Sequence, residues 1–184
     1  MIFIIGTLLS FCLFIIYDTN QIKDKYLLPV YFFKVGLLLL TISTIGLAVK
    51  AGWPTNNPPH LLALAGAVIF LMLLVYSLFF ALPARETYAT GKSPDQLCRT
   101  GMYALCRHPA ALWLSGFYLC YWLYFGGRLL LCQFICCSVA NFLYIFLQDK
   151  YFFPRLFKEY WQYQEDTPFL LPNLASIRRA VYGK

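Results

Sequence analysis

Charge is what this sequence has least of. Eight Asp and Glu stand against fifteen Lys and Arg, and charged residues of both signs make up 12% of the 184. A soluble domain carries about 25%, so an ordinary water-facing surface is excluded. Histidine occurs twice, at His60 and His108, far apart. The seven cysteines form no CxxC pair, and Cys12, Cys120, Cys132, Cys136 and Cys137 lie inside apolar runs. A disulfide framework and a metal site are therefore not expected, and the cysteines read as small buried hydrophobes. The net charge of +7 comes without an Arg/Lys-rich helix or an RNA-binding signature, which argues against nucleic acid as a partner. No internal repeat and no low-complexity stretch is present.

Long apolar blocks take the place of the missing charge. Hydrophobic residues reach 60% and the mean hydropathy is +0.63. Five runs stand out: Ile2–Tyr17, Leu28–Lys50, Leu61–Leu82, Pro109–Phe125 and Leu129–Leu147. A spanning helix needs about 20 residues, within a range of about 17–25. The first run has no charged leading region and no small-residue cleavage site before Asp18, so it reads as a helix and not as a cleaved leader. The expected fold class is an all-α integral membrane protein, one membrane domain over residues 1–184, with about five transmembrane helices.

Basic residues set the expected orientation. With the N-terminus outside, the cytosolic side receives Lys23, Lys25, Lys34, Arg85, Lys92, Arg99, Arg107, Lys150, Arg155, Lys158, Arg178, Arg179 and Lys184, and the other side keeps only Lys50 and Arg128. That bias places the C-terminus in the cytosol. Phe125-Gly126-Gly127-Arg128 leaves almost no loop, so the fourth and fifth runs should form a tight antiparallel hairpin. Between the third and fourth runs, Ala84–Ala89 reads as a continuation of the third helix and Thr90-Gly91-Lys92-Ser93-Pro94 as a turn cluster. After the last run, Asp149 to Gln164 reads as an amphipathic, aromatic-rich tail, kinked at Pro154, in an interfacial position.

The segment Cys98 to Trp113 carries the chemistry. Arg107, His108 and Pro109 stand side by side where the chain turns apolar. Proline suits the first turn of a helix, where its missing N–H would be unpaired anyway. That turn's free N–H groups and the helix dipole favour an anion. Arg107 adds a planar fork that fits a carboxylate, and His108 can donate or accept a proton near neutral pH. Gly101 permits a tight approach and Tyr103 offers a ring. The same residues also satisfy the positive-inside rule with no function at all. Trp113, Phe117, Tyr118, Tyr121, Trp122 and Tyr124 crowd the fourth run, read first as packing and interfacial aromatics and second as a wall for an acceptor. Ser115 and Gly116 mark a close helix approach, and Asn141 is either interhelical glue or a cavity contact.

The pattern from Leu97 onward, with Gly101, Tyr103, Arg107, His108 and Pro109, resembles the core motif of the isoprenylcysteine carboxyl methyltransferase family, whose superfamily includes phospholipid N-methyltransferases. Glu159-Tyr160-Trp161-Gln162-Tyr163, then Thr167-Pro168 and Pro172, resembles that family's closing segment. The similar region spans residues 95–172. The resemblance implies an S-adenosylmethionine-dependent membrane methyltransferase acting on a lipid-like or hydrophobic acceptor. It implies cofactor positions at Asp95, Gln96, Leu97, Cys98, Tyr103, His108, Pro109, Ala110 and Ala111. The family's acidic pair falls on Gln148 and Asp149, and Arg107 and His108 take the catalytic positions. Three departures are visible: Ala111 replaces a tyrosine, Trp113 a glycine, and Tyr144-Ile145-Phe146-Leu147 lacks the family's arginine for a substrate carboxylate. Two further readings stand beside this one. One is an NADPH-dependent enzyme like the sterol reductases, and the other a non-catalytic membrane protein that retains the fold.

Overall fold

A computed structural model describes residues 1–23, 31–52, 58–81 and 97–182. The expected helix over Ala84–Ala89, the turn cluster Thr90–Pro94 and the candidate positions Asp95 and Gln96 lie outside the described residues. Among those described, the chain is helical with no strand. The long elements are α1 (Ile2–Lys23), α2 (Phe32–Ala51), α3 (Pro58–Phe79), α5 (Pro109–Phe125) and α6 (Arg128–Leu147). The short ones are α4 (Met102–Leu105), a π-helical turn (Gln148–Phe152), α7 (Phe153–Leu156), α8 (Tyr160–Asp166) and α9 (Leu174–Tyr182). Four helices, α1, α2, α3 and α6, are long and apolar enough to cross a membrane. α5 has 17 residues, at the short end of the spanning range.

α1 runs past its apolar segment by nearly two turns. Hydropathy ends at Tyr17, but the helix continues through the polar residues that follow. Thr19 Oγ1 donates to the Ile15 carbonyl at 2.7 Å, and Asp18 and Gln21 are buried on the bundle side. The outer surface is apolar, with Leu38, Ile45, Val49, Leu62, Met72 and Val139 all more than half exposed. That is the reverse of a soluble domain, and it matches helices solvated by lipid.

The helices form an arc. α1 packs along α2 and also along α6, α6 along α5, and α5 along α3. α2 and α3, at the two ends, share no more than isolated contacts among the described residues. Phe11, Phe14, Leu40, Leu47, Tyr118, Tyr121, Leu130 and Cys137 make the core. Buried polar groups join the helices: Gln133 Nε2 donates to Thr7 Oγ1 at 3.2 Å, and the Thr44 and Tyr118 hydroxyls meet at 2.6 Å. Close approach uses glycine: a Cβ on Gly116 would sit 2.7 Å from the Phe70 ring of α3. The α5–α6 turn is as tight as expected, with φ of 71° at Gly126 and 83° at Gly127, a region that favours glycine.

The tail is broken further than the expected kink at Pro154. It is not one amphipathic helix. The backbone is extended at Phe157, between α7 and α8, and the chain folds back. Tyr160 and Tyr163 are buried at 1% and 3% exposure, while Trp161 faces outward. Pro154 falls in the first turn of α7. It carries no N–H for the preceding turn, where the ladder widens and Phe153 N–H reaches the Gln148 carbonyl.

Candidate functional site

The Arg-His-Pro corner sits where the loop enters α5. His108 is the N-cap residue and Pro109 occupies the first turn. Arg107 N–H donates to the Pro168 carbonyl at 2.9 Å, so the corner is tied by its backbone to the segment after α8. The anion that this corner holds is the chain's own. Arg107 Nε lies 2.9 Å from Asp149 Oδ1, and Nη2 donates to Asp149 Oδ2 at 3.1 Å. Nη1 donates to the carbonyls of Gln164 at 2.8 Å and Thr167 at 3.2 Å. Every nitrogen of the guanidinium thus faces an acceptor within the protein.

Asp149 is equally enclosed. Tyr160 donates its hydroxyl to Oδ1 at 2.7 Å, and Gln164 Nε2 donates to Oδ2 at 3.1 Å and to the Asp149 carbonyl at 3.0 Å. Burial and the adjoining carboxylate push the Tyr160 phenol far above its ordinary value, so it stays protonated and donates. The pair is nearly dry, with side-chain exposures of 10% for Arg107 and 4% for Asp149. Two charges this deep need the surrounding hydrogen bonds as well as each other, because desolvation would otherwise outweigh their attraction. Tyr163 closes the outer layer, donating to the Tyr103 carbonyl at 2.6 Å.

His108 lies against this pair. Its Nε2 is 3.4 Å from Asp149 Oδ1, outside hydrogen-bond geometry. Its ring stacks on Phe153 at 5.8 Å and meets Phe169 edge-on at 5.2 Å. Burial lowers its pKa from the usual 6.5 against the opposing pull of Asp149, so the imidazole is neutral at pH 7. Burial also pushes the Cys106 thiol up to about 11, which removes that cysteine as a thiolate nucleophile.

A cavity of about 250 Å³ opens on the other side of the corner. Leu97, Cys98, Tyr103, Arg107, His108, Pro109, Ala110, Ala111 and Gln148 all line it. Among the described candidates, Asp149 alone does not. It stands behind Arg107 and His108, in contact with both. The resemblance set Asp149 with Gln148 at the cofactor; here its carboxylate is turned to Arg107 and His108 within the protein. Cys98 and Tyr103 come from the loop and α4. Met102 of α4 accepts from Ser77 Oγ at 3.1 Å, and Tyr103 donates to the Ser77 carbonyl at 3.1 Å, which moors the loop to the end of α3. Asn141 serves both of its expected roles. It donates to the Ala111 carbonyl at 2.9 Å and to Ser115 Oγ at 3.3 Å, and it lines the cavity.

The α5 aromatics follow the first of their two readings, as packing groups and not as a wall of the cavity. Trp113 stacks on Phe70 and donates to Ser77 Oγ at 3.0 Å, and none of the six α5 aromatics lines the cavity. Phe11, Phe14 and Tyr17 of α1, Phe33 of α2 and Tyr144 of α6 do so instead. With them comes Asp18, 7% exposed, which accepts from Gln148 Nε2 at 2.9 Å. Sequence reasoning passed over Asp18 because it marked the end of an apolar run. The usable signal was an acid followed by further helix, since an ionisable group inside a spanning segment is a site by default. No family model, curated protein or solved structure matches this chain.

Proposed function

We propose that the chain is a multi-pass membrane methyltransferase that uses S-adenosylmethionine on a lipid-like or hydrophobic acceptor. The observation that carries this is the convergence of the motif residues on one cavity: Leu97, Cys98, Tyr103, His108, Pro109, Ala110, Ala111 and Gln148, from a loop, α4, α5 and the end of α6. These residues would hold the cofactor, with Leu97, Ala110 and Ala111 giving apolar floor and His108 and Gln148 giving polar contacts. The fit differs from the resemblance at one point. The acid facing the cavity is Asp18, while Asp149 holds Arg107. Arg107 is therefore a positioning residue that fixes His108 and the tail.

Bound S-adenosylmethionine supplies an electrophilic methyl on a sulfonium. The protein's share is then alignment and exclusion of water, worth several kcal/mol of barrier at near-attack geometry. No nucleophile or metal is required. The neutral His108 can take up a proton at its cavity edge.

The topology belongs to the same proposal. Five passes, α1, α2, α3, α5 and α6, alternate in direction, with the N-terminus outside and the C-terminus in the cytosol. The packing supports it. Gly6 of α1 faces Ser43 of α2 and Phe3 faces Gly46, so those helices are antiparallel. His60 Nδ1 meets the Tyr124 carbonyl at 2.9 Å while Ser77 meets Trp113, so α3 and α5 are antiparallel too.

The internal contacts of Arg107 also favour a second reading, a non-catalytic protein that keeps the fold, because each guanidinium nitrogen already faces an acceptor of the chain. Equilibrium binding of labelled S-adenosylmethionine and of NADPH to the purified chain separates the readings. Saturable S-adenosylmethionine binding that His108→Ala weakens is the expected result. Binding of NADPH alone favours the reductase, and binding of neither favours the non-catalytic fold.

A further inference from the structure

The cavity has two unlike halves. The half formed by the loop and α5 carries the motif. The other half, built by α1, α2 and α6, is an acid set among aromatic rings. Asp18 has no cationic partner among the described residues. Its hydrogen-bond partners are neutral, the Gln148 amide at 2.9 Å and the Tyr144 hydroxyl, and Gln148 also donates to that hydroxyl at 2.8 Å. The cations nearest in the cavity are accounted for, since Arg107 is paired with Asp149 and His108 is neutral. A buried carboxylate without a counter-charge is costly.

A second observation points to a ligand. Gln21, one turn on from Asp18, lines the cavity and is 8% exposed. Tyr17 is its polar neighbour, yet neither its amide oxygen nor its nitrogen meets hydrogen-bond geometry with a partner. Around the two polar groups the rings pack on one another. Phe14 meets Phe33 at 5.4 Å and Tyr144 at 5.8 Å, and Tyr17 meets Phe33 at 5.5 Å. Aromatic rings beside a carboxylate are the surroundings that recognise an ammonium, by charge pairing and by cation–π attraction. Two helices contribute further apolar lining. Leu37 and Leu40 of α2 and Leu74 and Leu78 of α3 line the same cavity, and these are the two helices at the open ends of the arc. A ligand's apolar tail would lie along the seam between them.

We infer that the Asp18 half of the cavity binds an ammonium head group whose apolar tail lies in the α2–α3 seam. Taken as an acceptor, this ligand is a hydrophobic amine, a step that rests on the methyltransferase reading; the binding itself does not.

The test uses the full chain in lipid nanodiscs and a photoactivatable decyltrimethylammonium as probe, with a decanol analogue of equal length as the neutral control. The ammonium probe should crosslink to α1, α2 or α6 within the cavity, and Asp18→Asn should weaken its apparent affinity about tenfold or more, as expected when a charge pair is lost in a dry site. Asp18→Glu should retain binding, and the decanol analogue should label parent and Asp18→Asn alike. Equal affinity for Asp18→Asn and parent overturns the inference. So does displacement of the probe by S-adenosylmethionine in an Asp18-dependent manner, since Asp18 would then belong to the cofactor half. Cofactor binding is measured in the same preparation without probe, so failure of the methyltransferase reading shows there and leaves the ammonium result standing.

Discussion

Arg107 is the residue on which the corner turns. Its guanidinium bridges a carboxylate of the π-helical turn and two carbonyls at the end of α8. A lysine has one compact ammonium and cannot span that fork. Removing one partner from a buried pair costs about 3–5 kcal/mol, so Arg107→Ala should lower stability by that order, with Arg107→Lys only a partial rescue. Urea or thermal unfolding in detergent measures it, and a loss below about 1 kcal/mol would mean that water reaches the pair. His108 makes a different prediction, about pH. Burial lowers its folded-state pKa below the unfolded value, so the unfolded chain binds the proton more readily. Stability from this group is present above about pH 6.5 and is lost as pH falls below it. Thermal melts of parent and His108→Gln from pH 7.5 down to 5.5 should show the steeper decline in the parent. Parallel curves would remove His108 as the titrating group.

At the scale of elements, the end of α6 and the α3–α5 contact decide how the cavity is framed. The π-helical turn at Gln148–Phe152 lets two successive residues serve two sides. Gln148 reaches Asp18 and the cavity, and Asp149 reaches Arg107. The α3–α5 contact rests on Gly116, whose missing side chain admits Phe70. Gly116→Val should force that ring out of place and destabilise by about 1–3 kcal/mol, the usual cost of overpacking. Combining it with Phe70→Ala should recover part of the loss, because the two positions touch. Simple additivity in a double-mutant cycle read by thermal denaturation would contradict the contact.

At the scale of the molecule, an arc of helices with apolar outer faces carries one polar end. Asp18, Arg107, His108, Gln148 and Asp149 gather there, and Lys50 and Arg128 lie at the opposite helix ends. On the proposed topology of five passes with the basic excess in the cytosol, a tag after Lys184 should be accessible from the cytosolic side and one before Met1 should not. Protease protection on intact cells and on inverted vesicles checks both ends. A Lys184 tag reached from outside would invert the proposed site.

The sequence by itself determined the helices, because their evidence is local. Apolar runs of the right length, Pro109 at a helix start and Gly126-Gly127 at a turn act within a few residues, and the helices formed where those signals lay. It also located the Arg107–His108 corner, since a charge at the mouth of an apolar run is visible in one dimension. Only the tertiary structure decided what that charge faces. Asp149 is 42 residues from Arg107, and Asp18 is 130 from Gln148. Neither spacing carries a signal, because these contacts depend on which helices become neighbours in the arc. The same holds for the aromatic wall: Phe11, Phe14 and Phe33 look like any apolar residues in sequence. They become a wall because α1 packs between α2 and α6 and turns those rings toward the cavity they line.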